Sequence, residues 1–161
     1  MTIEAGCSPV HVALGADAER IAPELDGVAA QSIVNPEWKE GIASSIRAGV
    51  SSLAGSNPSP KNLLITVCDQ PRLSVEVLRA LIAAHRSSGA KITASSYAET
   101  IGVPAIFSAE MYQELLGPTR DQGAKSVIAR HAKDVRIVEF PGGEIDIDTP
   151  EELARLQAED R

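Results

Sequence analysis

A chain of 161 residues, 43% hydrophobic and 23% charged, has the size and composition of one globular domain with a real core. Its formal charge of -7 opposes a phosphate backbone, which excludes broad nucleic-acid binding and leaves room only for a local basic pocket. No apolar run approaches the roughly 20 residues of a bilayer span, and Met1 to Cys7 lacks the basic and apolar segments of a leader. A soluble, cytoplasmic protein with no membrane partner is the expectation.

In chain order, Val10 to Leu14 reads as a strand ending at Gly15, and Gln31 to Val34 as a second ending at Asn35-Pro36. After Trp38, Ile42, Ile46, Val50 and Leu53 recur at helical spacing and predict a helix with one apolar face. Gly55 to Pro60 is a surface loop. Asn62 to Val67 is a continuous apolar run of the kind found in buried strands, and it ends at Cys68-Asp69-Gln70-Pro71. Ser74 is placed to cap a helix carrying Leu78, Leu81, Ile82 and His85 on one stripe. Further strands are predicted at Lys91 to Ala94, Val103 to Phe107, Val135 to Glu139 and Glu144 to Ile147, with a helix capped by Ser108 that carries Met111, Leu115 and Leu116. Thr149-Pro150-Glu151-Glu152 offers a hydroxyl cap, a proline at the first helical position and a glutamate at the third, which together open a last helix. This alternation predicts an α/β domain, three-layered, with a mostly parallel sheet and helices on both faces. Cys7 and Cys68 have no metal spacing and are read as small core hydrophobes.

Ligands of open α/β sheets bind outside the carboxyl ends of strands, which draws attention to Asp69. The alternative for it is a turn aspartate ahead of Pro71. Asp146 and Asp148 leave a second strand exit, and at strand spacing they point to one side. Carboxylates from two exits converging within about 4 Å would repel by roughly 1 to 4 kcal/mol, a repulsion that a hard divalent cation reverses. A solvated strand end with a helix cap is the alternative for one of that pair. Gly41, Ser44 and Ser45 open a helix whose free N–H groups suit a polar or anionic ligand. Gly102, followed by Val103 and Pro104, lets a ligand approach the backbone. Thr119 to Lys125 enters a helix with Arg120 and Lys125 available for phosphate contacts. His11, His85 and His131 match no zinc or nucleophile pattern and are assigned to core edges or the surface, and Trp38 is read as a loop anchor.

Taken in order, Ala5-Gly6-Cys7-Ser8-Pro9-Val10, Asn35-Pro36 to Arg47, Asp69-Gln70-Pro71, Gly102 to Phe107, Asp121 to Ala124 and Asp146-Ile147-Asp148-Thr149-Pro150-Glu151 resemble blocks of the MobA-like nucleotidyltransferases of molybdenum cofactor biosynthesis, above all the molybdopterin cytidylyltransferase branch. The resemblance runs from near residue 5 to about residue 156. It implies a Rossmann-like nucleotidyltransferase fold and Mg²⁺ held by Asp69 with Asp146 or Asp148. It further implies that Gly41, Ser44 and Ser45 neighbour the nucleobase, that Gly102, Val103 and Pro104 belong to the pterin side, and that the reaction is transfer of CMP from CTP to a pterin phosphate acceptor.

That family opens with a strand and a glycine-rich basic loop that wraps the triphosphate, and no such segment lies before Ala5. The single domain over residues 1–161 is therefore expected to lack one βα unit, about thirty residues. Cys68 also stands where the family usually has glycine. Two readings follow: a Mg²⁺-dependent cytidylyltransferase-like enzyme, or a non-catalytic nucleotide- or partner-binding remnant of the same fold. A sheet short of a strand suggests a homodimer. The local Asp146-x-Asp148-x pattern of haloacid-dehalogenase phosphatases is set aside because such a nucleophile opens its fold, whereas here only one helix follows.

Overall fold

Among the described residues of this computed structural model, 1–117 and 123–159, six strands alternate with six α-helices. β1 (His11–Leu14) and β2 (Gln31–Val34) pair in parallel as a sheet of their own, connected through α1 (Ala18–Ile21) and a 3-10 turn. α2 (Ile42–Ala54) follows. β3 (Asn62–Ile65), α3 (Val75–Ser88), β4 (Ile92–Tyr97), β5 (Thr100–Ser108), α4 (Tyr112–Leu116), α5 (Gly123–Arg130) and β6 (Val135–Glu139) then build a four-stranded sheet in the order β3-β5-β4-β6. α6 (Pro150–Glu159) closes the chain described. β5 is antiparallel to both neighbours and β4 is parallel to β6, so three of the four strands share one direction.

Helices cover both faces of this sheet, as the alternation predicts. Successive strand residues point to opposite sides. Leu63 and Ile65 join Ile92, Ala94, Phe107, Val50, Leu53, Leu115 and Val127 in the larger core, under α2, α4 and α5. Leu64 faces the other way, toward Leu73, Leu78 and Phe140 in a smaller cluster beneath α3, where Ala5 also packs. α2 ties the sheets together, packing on β1 and β2 while its Val50 and Leu53 enter the larger core.

The sheet differs from the single one expected: β1 and β3 lie in different sheets and are not hydrogen-bonded neighbours. Residues 144–147 are not a strand either. The Ile145 N–H donates to the carbonyl of Gly142, which has φ 84°, and the Ile147 N–H donates to that of Asp69, so neither joins a ladder. Ser108 opens only a 3-10 turn and makes no capping bond, its hydroxyl being buried without a partner. Ser74 does cap α3, accepting from the Val77 N–H at 3.4 Å. Thr149 and Glu152 form the expected reciprocal box: the Glu152 N–H donates to Thr149 Oγ1 at 3.3 Å, and the Thr149 N–H donates to Glu152 Oε2 at 2.9 Å. Cys7 is half-buried and Cys68 is exposed, which corrects its placement in the core. No helix among the described residues is long and apolar enough to cross a membrane.

Candidate functional site

The exit of β3 and the segment after β6 meet. The Ile147 N–H donates to the Asp69 carbonyl at 2.9 Å, which seats the backbone of residues 146–148 against the Asp69 turn. Gln70, 8% exposed, donates through Nε2 to the Gly143 carbonyl at 2.7 Å and to the Val103 carbonyl at 3.3 Å. Three predicted regions, Asp69, Gly102 to Pro104 and Asp146 to Asp148, are thereby brought to one place. Asp69, Asp146 and Asp148 are all exposed, and none of their carboxylates is in an ion pair among the described residues. Exposed carboxylates without a cationic partner among the described residues, carried on two segments joined by a backbone hydrogen bond, are a donor set that suits a hard divalent cation. The set is not preassembled: no group of three or more His, Cys, Asp or Glu side chains stands at metal-holding distance among the described residues. Asp146 lines a 220 Å³ cleft together with Arg155 and Leu156 of α6. Asp148 stands one residue beyond Ile147, with its N–H donating to Glu152 Oε2 at 2.9 Å.

Tyr97, which sequence reasoning missed, fills the centre of this region. A Cβ on Gly102 would lie 2.7 Å from the Tyr97 hydroxyl oxygen, so the close approach that this glycine permits is made by the phenol. A Cβ on Gly143 would lie 2.6 Å from Tyr97 Cδ1 and 2.5 Å from Phe140 Cδ1, and the two rings meet edge to face with centroids 5.9 Å apart. Burial pushes the Tyr97 phenol up from its ordinary pKa, the Gln70 amide beside it pulls the other way, and the Asp69 charge adds to the upward push. The phenol therefore stays protonated at neutral pH. Its ring also forms one wall of a 520 Å³ groove that includes Ile101, Ile137, Glu139 and Pro141. The alternating pattern around Tyr97 carried no signal of this role, because only the fold brings Gly102 and Gly143 to either side of the ring.

A second cluster lies at the start of α2. Gly41 adopts φ 91° and caps the helix. Asn35, 2% exposed, donates from Nδ2 to Ser44 Oγ at 2.8 Å and to Ser45 Oγ at 3.1 Å, and its Oδ1 accepts from the Glu37 N–H at 2.9 Å. Ser44 Oγ in turn donates to the Gly41 carbonyl at 2.8 Å. Ser44 is 1% exposed, so its hydroxyl shapes the turn from within, while Gly41 is exposed and Ser45 half-buried. In the sequence Asn35 was legible as a strand-ending residue before proline and as the first residue of the Asn35 to Arg47 block, but not as the partner of Ser44 and Ser45. Trp38 anchors the loop as expected, its Cβ lying 2.7 Å from where a Gly15 Cβ would stand. The start of α5 abuts this region, since a Cβ on Gly123 would meet Ile46 at 3.0 Å and Ile42 at 3.2 Å. Lys125, in the first turn of α5, is exposed there. Thr119, Arg120, Asp121 and Gln122 lie outside the described residues.

Residues 2–135 match the MobA-like NTP transferase domain. The chain belongs to that family. Its fold is shared with Rv0371c from Mycobacterium tuberculosis, at a TM-score of 0.78 and 24% identity over 98% of this chain and 79% of that one. A manganese complex of the same protein superposes with a TM-score of 0.69 at 25% identity, covering 96% of this chain and 81% of that one. A nucleotidyl transferase from Methanothermobacter thermautotroptrophicus gives 0.76 at 19% identity, over 98% and 76% of the two chains. Among curated proteins, nicotine blue oxidoreductase of Paenarthrobacter nicotinovorans is 26% identical over 162 residues, which span 94% of this chain and 76% of that protein. The MobA-like chain is thus a nucleotidyltransferase-family domain by sequence and by fold.

Proposed function

We propose that this MobA-like domain binds a nucleoside triphosphate with a divalent cation and serves nucleotidyl transfer to a pterin phosphate in molybdenum cofactor biosynthesis, with CTP as donor. The observation that carries the reading is the Ile147 to Asp69 hydrogen bond, which joins the backbones of two segments that each carry exposed carboxylates, beyond the end of β3. Asp69 with Asp148 or Asp146 would hold the cation, Asp146 also lining the α6 cleft. Mg²⁺ is the favoured ion; the manganese complex of Rv0371c supports a divalent cation in a relative. When bound, such an ion neutralises phosphate charge as it develops.

The chain's own residues supply the rest. The first turn of α2, with exposed Gly41, half-buried Ser45 and the Asn35–Ser44 brace behind them, presents backbone N–H groups to the nucleotide. Lys125 faces its phosphates, and Val103 with its neighbours Gly102 and Pro104 borders the acceptor. In the transfer, a phosphate oxygen of the acceptor bonds to the α-phosphorus of CTP as the bond to pyrophosphate breaks, and pyrophosphate leaves. Calorimetry with Mg·CTP and Mg·GTP, paired with pyrophosphate release in the presence of molybdopterin, tests the reading. Asp69→Asn is expected to weaken metal-nucleotide binding about tenfold or more and to cut turnover by about 10² to 10³. Failure of the wild-type chain to bind either nucleotide with Mg²⁺ or Mn²⁺ would overturn it.

A second reading is a nucleotide- or partner-binding remnant without turnover. It is favoured by the absence of a preassembled metal cluster among the described residues, and by a relative whose name denotes a different chemistry. Nucleotide binding of ordinary strength without pyrophosphate release would select it.

A further inference from the structure

Between Ala94 and Ser95 the pairing of β4 with β5 jumps: Ala94 faces Ala105, while Ser95 faces Gly102. Val103 and Pro104 are extra residues on β5 with no partner on β4, and the pairing of β5 with β3 stops at Ala105, so neither residue has a ladder partner on either edge. Side chains recapture both carbonyls. Ser95 Oγ donates to the Pro104 carbonyl at 2.7 Å, and Gln70 Nε2 donates to the Val103 carbonyl at 3.3 Å. The same Gln70 nitrogen reaches the Gly143 carbonyl, 73 residues along the chain, at 2.7 Å. Two carbonyl acceptors on one side settle which end of the amide faces them, because an amide oxygen there would meet only other oxygens.

The other end of the amide is left over. Gln70 Oε1 is buried and has no hydrogen-bond partner. An apolar side chain of equal length would fill the space without that desolvated acceptor, so packing alone does not account for a glutamine. What the glutamine does provide is a donor shared by the β5 bulge and the turn after Phe140. Immediately before it stands Asp69, whose carbonyl holds the Ile147 N–H.

We propose that Gln70 is a positioning residue: by clasping the β5 bulge and the turn at Gly143 it sets the spacing of Asp69 from Asp148, and so tunes the cation site without touching it. The inference rests on the cation reading above, and its test separates the two. Gln70→Met keeps length and bulk but has no N–H.

In metal-free protein, amide exchange at Ile147 is expected to speed up about tenfold in Gln70→Met, while exchange at Val50 and Leu53 in α2 is unchanged. Unchanged exchange at Ile147 overturns the clasp. Mn²⁺ titration followed by electron paramagnetic resonance is expected to show about tenfold weaker binding in Gln70→Met, and the metal KM to rise more than kcat falls. Equal Mn²⁺ affinity in the two proteins overturns the positioning role. A wild-type chain that takes up no Mn²⁺ overturns the cation reading and leaves the exchange result to decide the clasp alone. If Gln70→Met does not fold, Gln70→Asn replaces it in both measurements, since its amide is one methylene short of the Gly143 carbonyl.

Discussion

His85 shows how one buried polar side chain joins three elements. From α3 it places Nδ1 3.0 Å from Thr93 Oγ1 on β4 and Nε2 3.0 Å from Asn62 Oδ1 on β3. The amide oxygen accepts only, so Nε2 carries the proton and Nδ1 accepts from the threonine hydroxyl. Burial lowers the His85 pKa below its ordinary value of 6.5. The unfolded chain therefore takes up a proton near pH 6.5 that the folded chain still refuses. Stability should fall as pH drops below about 6.5, until the lowered folded value is passed. Thermal melts between about pH 7.5 and 5 are expected to show this decline, and His85→Gln to flatten it. His85→Ala, which removes both bonds and leaves a void beside Thr93, should cost about 2 to 4 kcal/mol at neutral pH. Its place at a core edge agrees with the reading of the three histidines as core-edge or surface residues, and its hydrogen-bonding partners were invisible because Asn62 and Thr93 lie on two strands that only the fold sets against α3.

At the scale of elements, α6 depends on its ends more than on its face. From Pro150 to Ala158 its residues are exposed save for half-buried Leu156, so packing contributes little and the capping box carries more weight than usual. Glu152 accepts from the N–H groups of both Asp148 and Thr149, and these bonds hold its carboxyl below the usual carboxylate range. A depressed carboxylate contributes stability above its unfolded pKa and loses it as pH falls through the folded one, so α6 should fray in acid. Thr149→Ala is expected to lower helix stability by about 1 kcal/mol, read as faster amide exchange through residues 151–155. The same box orders the chain beside Asp148, so its loss should also loosen one carboxylate of the candidate site.

Much of this level was legible. The reciprocal Thr149–Glu152 box, the Ser74 cap and the Ile46, Val50 and Leu53 stripe of α2 are local, set by spacings of three and four residues, whereas Ile42 at the head of that stripe is exposed. The supposed strand at 144–147 shows where local reading fails: Glu144-Ile145-Asp146-Ile147 alternates like a strand, but its hydrogen bonds go to a turn and to Asp69. Ile137 and Ile145 are likewise exposed although each sits in an alternating run.

Across the whole molecule, the two clusters on opposite sides of the larger sheet differ in weight. Phe107, fully buried, stands in the larger one among residues from α2, α4, α5 and three strands. Phe107→Ala should cost about 3 to 5 kcal/mol, measured by urea unfolding, because so many elements lose a shared contact. Exposed Val34, Trp38 and Ile42, at 63%, 41% and 53%, lie instead around the start of α2, at the smaller sheet.

From the chain alone came the α/β class, the helices on both sides of the sheet and the caps at Ser74 and Thr149, because each rests on periodicity or on chemistry a few residues long; Asp69, Asp146 and Asp148 were singled out there as candidates in the same way. The division into two sheets, the antiparallel placement of β5 and its bulge at Val103 were decided only in the folded chain. So were the hydrogen bonds of Gln70, which the Asp69-Gln70-Pro71 block contained without revealing. A hydrogen bond spanning 73 residues leaves no periodic trace, and which carbonyls a bulge sets free is known only once strands are paired.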